Sequence, residues 1–206
     1  MRLKDIEKKA DEIRRSLSKQ YGFKQSSYIN WKIKDGYFFC LSTLHVVHIQ
    51  LEVKPLFMDD LYWKIIYYGH KEMKFPDSLR GNGILALLSE KIWEESFPEG
   101  LRTDFNAEQY EQIMSNAFLK AETEIDSFLR KYPHPNLFKQ FMSDNNRSKI
   151  LTQLLVLIND EKYEEASQLA KRHIENKPHF LCEYVIENIK KNEYEFILDY
   201  CLEKMK

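Results

Sequence analysis

His48, Gln50 and Glu52 stand at i, i+2 and i+4 in a segment that alternates polar and apolar residues, a spacing that projects all three from one face of a strand. An imidazole and a carboxylate on such a face can bind a metal ion or move a proton, and His45 reaches toward the same area from the preceding turn. No second pair of ligands at metal-site spacing accompanies them, so no metal is expected, and a polar row on the solvent side of a half-buried strand needs no chemistry. Asp59-Asp60 reads as a turn or cap, with Asp60 a further acid–base candidate; His70 and Glu72 follow nearby. Arg80-Gly81-Asn82-Gly83 precedes an expected helix, where backbone N–H groups can cradle an anion. Neither G-x-x-x-x-G-K-[ST] nor G-x-G-x-x-G occurs, so this reads as an ordinary loop and no cofactor is expected. Without G-x-S-x-G or H-E-x-x-H, and with Cys40 expected beside Trp31 in the core, the usual hydrolase routes lack support.

The elements that would position these residues follow from periodicity. Leu3, Ile6, Ala10, Ile13 and Leu17 form one stripe of an amphipathic helix over about 2–20, ended by Gly22. The period then changes to two. Ile29, Trp31 and Ile33 lead into Asp35-Gly36, a type I′ hairpin turn whose register pairs Ile33 with Phe38 and Trp31 with Cys40. A third strand carries Val47, Ile49, Leu51 and Val53 on one face and His48, Gln50, Glu52 and Lys54 on the other, stopped by Pro55. Residues 61–68, Leu-Tyr-Trp-Lys-Ile-Ile-Tyr-Tyr, are expected as a fourth strand, with a short helix as the alternative.

These elements predict an α+β fold: an N-terminal helix, a four-stranded antiparallel meander with flanking helices, and an all-helical C-terminal part. One sheet face is expected to carry Ile29, Trp31, Ile33, Phe38, Cys40, Val47, Ile49 and Leu51 as the main core. Helices are predicted at about 84–96 and 107–131, the second capped by Asn106. Tyr132-Pro133-His134-Pro135-Asn136 then separates an α+β domain, 1–131, from a helical region, 137–206, docked on it. Within that region helices are expected at about 137–143, 147–159, 162–176, 179–191 and 193–205. Sliding it by 31 residues aligns Tyr163-Glu164 with Tyr194-Glu195 and Leu155 with Ile186. Asp160-Glu161-Lys162-Tyr163-Glu164-Glu165-Ala166 thereby resembles the junction of a tetratricopeptide-like helical hairpin, which implies a pair of stacked repeat-like units.

The other face of the meander would carry Tyr28, Tyr37, Phe39, Tyr62 and Tyr68. Either the C-terminal helices cover this aromatic surface or another molecule does, which makes these residues the binding candidates. Net charge is −1, so bulk electrostatics give no reason to expect nucleic acid or an anionic membrane, and a protein is the expected partner. Charge is uneven, however: residues 84–131 hold ten acidic and five basic side chains, a local balance of −5, and residues 1–20 hold seven basic and four acidic, +3. Such charge runs usually mark solvated helix faces. Three scattered cysteines and the absence of a long apolar run lead to the expectation of a cytoplasmic protein that does not enter a membrane.

Gly22-Phe23-Lys24, Trp31, Trp63 and Lys54-Pro55-Leu56-Phe57, in their order after an amphipathic helix, resemble a group of bacterial helix-plus-meander proteins of toxin-immunity-like character. The resemblance spans about the first hundred residues. It implies a binding role and assigns no catalytic residue. The expected function is a non-enzymatic protein–protein interaction module. The alternative is a metal-dependent or acid–base enzyme in which His48 and Glu52 converge with His45 or Asp60.

Overall fold

The computed structural model describes residues 3–26, 29–44, 48–66, 77, 80, 89–101, 104–143, 149–176, 183–186 and 189–206. Helix α1, Leu3–Gln20, buries Ile6, Ala10 and Leu17 along the predicted stripe. Gly22 closes it at φ +68°, a conformation that favours a residue without Cβ. A short strand β1, Lys24–Ser26, leads to β2, Ile29–Lys34, and β3, Tyr37–Leu44. Asp35 and Gly36 turn the chain with φ of 50° and 80°, and Ile33 pairs with Phe38 and Trp31 with Cys40, the predicted register.

Strand β4, His48–Pro55, pairs Cys40 with Glu52, Leu41 with Leu51 and Phe39 with Val53. This register corrects the expected core face. Ile49, Leu51 and Val53 lie with Tyr37, Phe39 and Leu41, whereas Trp31, Phe38 and Cys40 lie on the opposite side with Glu52 and Lys54. Because side chains alternate, a one-residue difference in the β3–β4 connection exchanges one face for the other.

Residues 61–66 are helical, which corrects the expected fourth strand: α2 spans Leu56–Ile66. Met58, Tyr62, Ile65 and Ile66 are buried at helical spacing, a period visible only when the segment is read from Leu56. The expected strand residues 67 and 68 lie outside the described residues. The strand that completes the sheet is β5, Glu90–Ser96, where a helix over 84–96 was expected. It pairs antiparallel with β4 through Leu51–Trp93 and His48–Ser96, and a bulge interrupts the register between Leu51 and Glu52. Pairing with an open strand outweighs the weak helical preference of so short a segment. The sheet is five-stranded in the order β1-β2-β3-β4-β5.

Helix α3, Ala107–Lys131, starts on Asn106, whose side chain accepts from the Gln109 N–H at 3.0 Å. It buries Tyr110, Met114, Phe118, Ala121, Ile125 and Phe128 against α1 and β3. The segment after it is tied to the sheet. The Tyr37 hydroxyl lies 3.0 Å from the Tyr132 carbonyl and 2.8 Å from that of His134, donating to this pair of acceptors. A Cβ on Gly36 would stand 2.9 Å from Pro135, so the hairpin turn requires glycine for space as well as φ.

Past a 3-10 turn, Pro135–Leu137, come α4, Phe138–Phe141; α5, Lys149–Asn159; and α6, Tyr163–Glu175. Glu161, at φ 58°, makes the tight α5–α6 turn. The helix expected over 179–191 is instead an antiparallel hairpin among the described residues, β6, Glu183–Ile186, and β7, Ile189–Asn192. The second repeat-like unit therefore lacks its first helix, and Leu155 and Ile186 are not structural equivalents. Helix α7, Glu193–Lys204, opens with a capping box between Asn192 and Glu195. α2 packs against α5 and α7, and a continuous apolar core runs from Ala10 of α1 to Cys201 of α7. No helix among the described residues is long and apolar enough to cross a membrane.

Candidate functional site

The polar row on β4 does not converge. Strand rise of about 3.3 Å per residue separates positions i and i+4 by roughly 13 Å. His48 sits at one end, half exposed, with Nδ1 3.3 Å from the Ser96 hydroxyl and 4.0 Å from a Glu94 carboxylate oxygen. Glu52 pairs with Cys40 across β3 and with Lys91 across β5. Burial raises its pKa, opposed by Lys54, Lys91 and a hydrogen bond from Gln50. Asp60 lies beyond the strand, its exposed carboxylate 2.6 Å from Arg80 Nη2. His45, His70, Glu72 and Gly81–Gly83 lie outside the described residues. Among the described residues no group of three His, Cys, Asp or Glu is placed to hold a metal ion. His48 and Glu52 thus stand toward opposite ends of β4.

The described aromatic binding candidates, Tyr37, Phe39 and Tyr62, are core residues. All three are fully buried, so of the two alternatives it is the chain's own helices that cover them. Phe128 stands edge-on to both Tyr37 and Phe39, with centroids 5.1 and 5.7 Å away, and Phe138 closes over Tyr37. Tyr62 packs edge-on against Trp63, and its hydroxyl lies 2.6 Å from that of Tyr184 on β6. α3 and the segments after it thus seal this face. Tyr28 and Tyr68 lie outside the described residues.

The opposite side of the sheet holds a buried charge cluster. Lys54 ends the polar row of β4 with Nζ 3.2 and 3.3 Å from the two Asp59 oxygens, in the first turn of α2. Arg80 Nη1 is 3.2 Å from Asp59 and donates to the Leu56 carbonyl at 3.1 Å, while its other nitrogens reach Asp60 and Asp77. Lys54 and Asp59 are 1% and 0% exposed, so water does not screen them. Burial pushes Asp59 up to about 6 and Lys54 below its ordinary value; each partner's charge partly offsets the shift. Nearby, burial raises the Cys40 thiol far above the range in which a thiolate forms. The cluster fastens the start of α2 to β4 and to residue 80. It is an internal brace with no local signal in the sequence, where Asp59 reads as a turn residue and Lys54 as a solvated strand end.

Exposed carboxylates collect at the other end of the sheet. β5 exposes Lys91, Glu94 and Glu95, and the turn and helix start that follow expose Glu99, Asp104, Glu108 and Glu111. Lys91 pairs with Glu94, and Lys120 of α3 reaches Glu95 at 3.3 Å while stacking over Trp93, 4.4 Å from the ring centroid. Glu99, Asp104, Glu108 and Glu111 have no cationic partner among the described residues. Glu108 lies in the first turn of α3, where a carboxylate also favours the helix dipole. The local excess of acid over base in residues 84–131 was the legible signal, although its concentration on one end of the fold was not. No protein-family model, no curated protein and no solved structure matches this chain.

Proposed function

We propose that this chain is a non-enzymatic protein-binding module of the immunity-like kind, and that it receives a basic protein partner at the acidic end formed by β5 and the start of α3. The observation that carries this reading is the set of exposed carboxylates Glu99, Asp104, Glu108 and Glu111, which have no cationic partner among the described residues and follow Glu94 and Glu95 in the chain. Uncompensated charge of one sign raises the encounter rate with a partner of the other sign and disfavours like-charged competitors. The resemblance of the first hundred residues to helix-plus-meander proteins supports the same class. Cytoplasmic action suits its buried thiols, Cys40 and Cys201.

Capture from native lysate with the protein and with a Glu99→Lys/Glu111→Lys variant tests this. The expected result is a basic protein retained stoichiometrically by the first, lost at least about tenfold by the second, and released as salt shortens the Debye length. A partner held equally by both proteins, or one without basic surface, contradicts the proposal.

A further inference from the structure

The proposed acidic end includes the last strand of the sheet, and its backbone offers a second kind of contact. Sheet order ends at β5, and no strand among the described residues pairs with its outer side. In an antiparallel ladder every second residue of an edge strand points its N–H and C=O outward, away from the existing partner. The opposite edge is different in kind: β1 has only three residues and lies beside α1. β5 has seven residues, and its outer groups are a template for another extended chain.

The side chains of β5 select what that chain is. A second copy pairing antiparallel edge to edge in a register centred on Glu94 or on Glu95 would set that carboxylate against its own copy, which is repulsive. Glu94 and Glu95 point to opposite faces, so the alternate cations of an added strand meet the carboxylates of one face and reverse the sign of the contact there. The carboxylates are also held in place, Glu95 by Lys120 of α3 and Glu94 by Lys91 of its own strand. The bulge leaves Trp93–Ser96 as an unbroken stretch in register with His48–Leu51, followed in the chain by Glu99 and Asp104, which have no cationic partner among the described residues. We infer that β5 is a strand-addition site, at which an extended segment bearing alternate Lys or Arg residues pairs along Trp93–Ser96 as a sixth strand. This rests on the protein-binding reading above and adds its mode: main-chain hydrogen bonds supply attachment and the acidic side chains supply the choice of partner.

The test uses the full chain, uniformly ¹⁵N-labelled, and three synthetic peptides at low salt: an alternating Lys-Val heptamer, the same heptamer N-methylated at every residue, and an alternating Glu-Val heptamer. The methylated peptide keeps the charge and loses every backbone donor. The expected result is that the Lys-Val peptide slows amide exchange within residues 93–96, that methylation weakens binding at least tenfold, and that the Glu-Val peptide does not bind. Equal binding of the methylated and unmethylated Lys-Val peptides overturns strand addition while leaving an electrostatic protein-binding surface intact. Absence of binding by either Lys-Val peptide, or equal binding by the Glu-Val peptide, overturns both readings.

Discussion

Arg14 and Arg80 lie on opposite sides of the same sheet, 7% and 8% exposed, and are satisfied by different chemistry. Arg14 of α1 donates to the hydroxyls of Thr43 and Tyr110 at 2.9 and 3.2 Å and pairs with the partly exposed Asp11 at 3.2 Å; its Nε has no acceptor among the described residues. Around it the interface between sheet, α1 and α3 is apolar and aromatic. Arg80 contacts Asp59, Asp60 and Asp77 together, and one of these carboxylates also serves Lys54. Apolar packing dominates on the first side, with polar groups as fittings. On the second, ionic contacts determine where α2 begins, so each of these groups depends on the others.

The largest expected effect comes from breaking the ionic side. Arg80→Met leaves Asp59 buried with Lys54 as its remaining cation and removes the tie to the Leu56 carbonyl. Loss of about 3–5 kcal/mol is expected in urea unfolding at neutral pH, the range for disrupting a buried ion pair by removing one member. Arg14→Met is the matched change on the other side. It removes the charge together with its need for partners, and the Thr43 and Tyr110 hydroxyls remain close enough to satisfy one another. About 1–2 kcal/mol is expected in the same measurement. Equal losses in the two variants would erase the distinction between the sides.

A smaller effect concerns pH. Asp59 binds its proton more tightly when folded, with a pKa near about 6 against an ordinary value of 3.8. Its contribution to stability is therefore complete below about pH 4 and lost as pH rises through about 6. Glu52, also raised by burial, acts in the same direction, so the comparison with Asp59→Asn isolates the Asp59 part. Urea midpoints from pH 4 to 7 should fall more for the native protein than for Asp59→Asn, with the gap developing between about pH 4 and 6. Parallel curves would show that Asp59 does not titrate in this window.

Local signals with one physical meaning were legible. The α1 stripe, the Asp35-Gly36 turn with its register and the Asn106 cap each depend on residues close in sequence, and each stands where expected. The errors lie where a distant partner decides. Residues 90–96 are a strand because β4 presents an edge to them, and Glu183–Ile186 is half of a hairpin because Ile189–Asn192 follows at pairing distance. The face assignment failed for a similar reason: hydrophobic alternation is symmetric between two faces, and only the β3–β4 connection says which residues of the two strands share one. Sequence likewise leaves open what covers Tyr37 and Phe39, and it is a distant element, α3, that does. The buried charge cluster was illegible because Lys54, Asp59 and Arg80 acquire meaning only when brought together, and their separate contexts read as strand end, turn and loop.

The central claim is that the aromatic face of the sheet is sealed core and that binding belongs to the acidic end. Hydrogen–deuterium exchange of the protein alone and with its captured basic partner tests it most directly. The account predicts new protection in peptides covering 90–96 and 99–111, with residues 37–44 slow to exchange and unchanged in both states. New protection centred on 37–44, with none at 90–111, would contradict it and return the aromatic face to the surface.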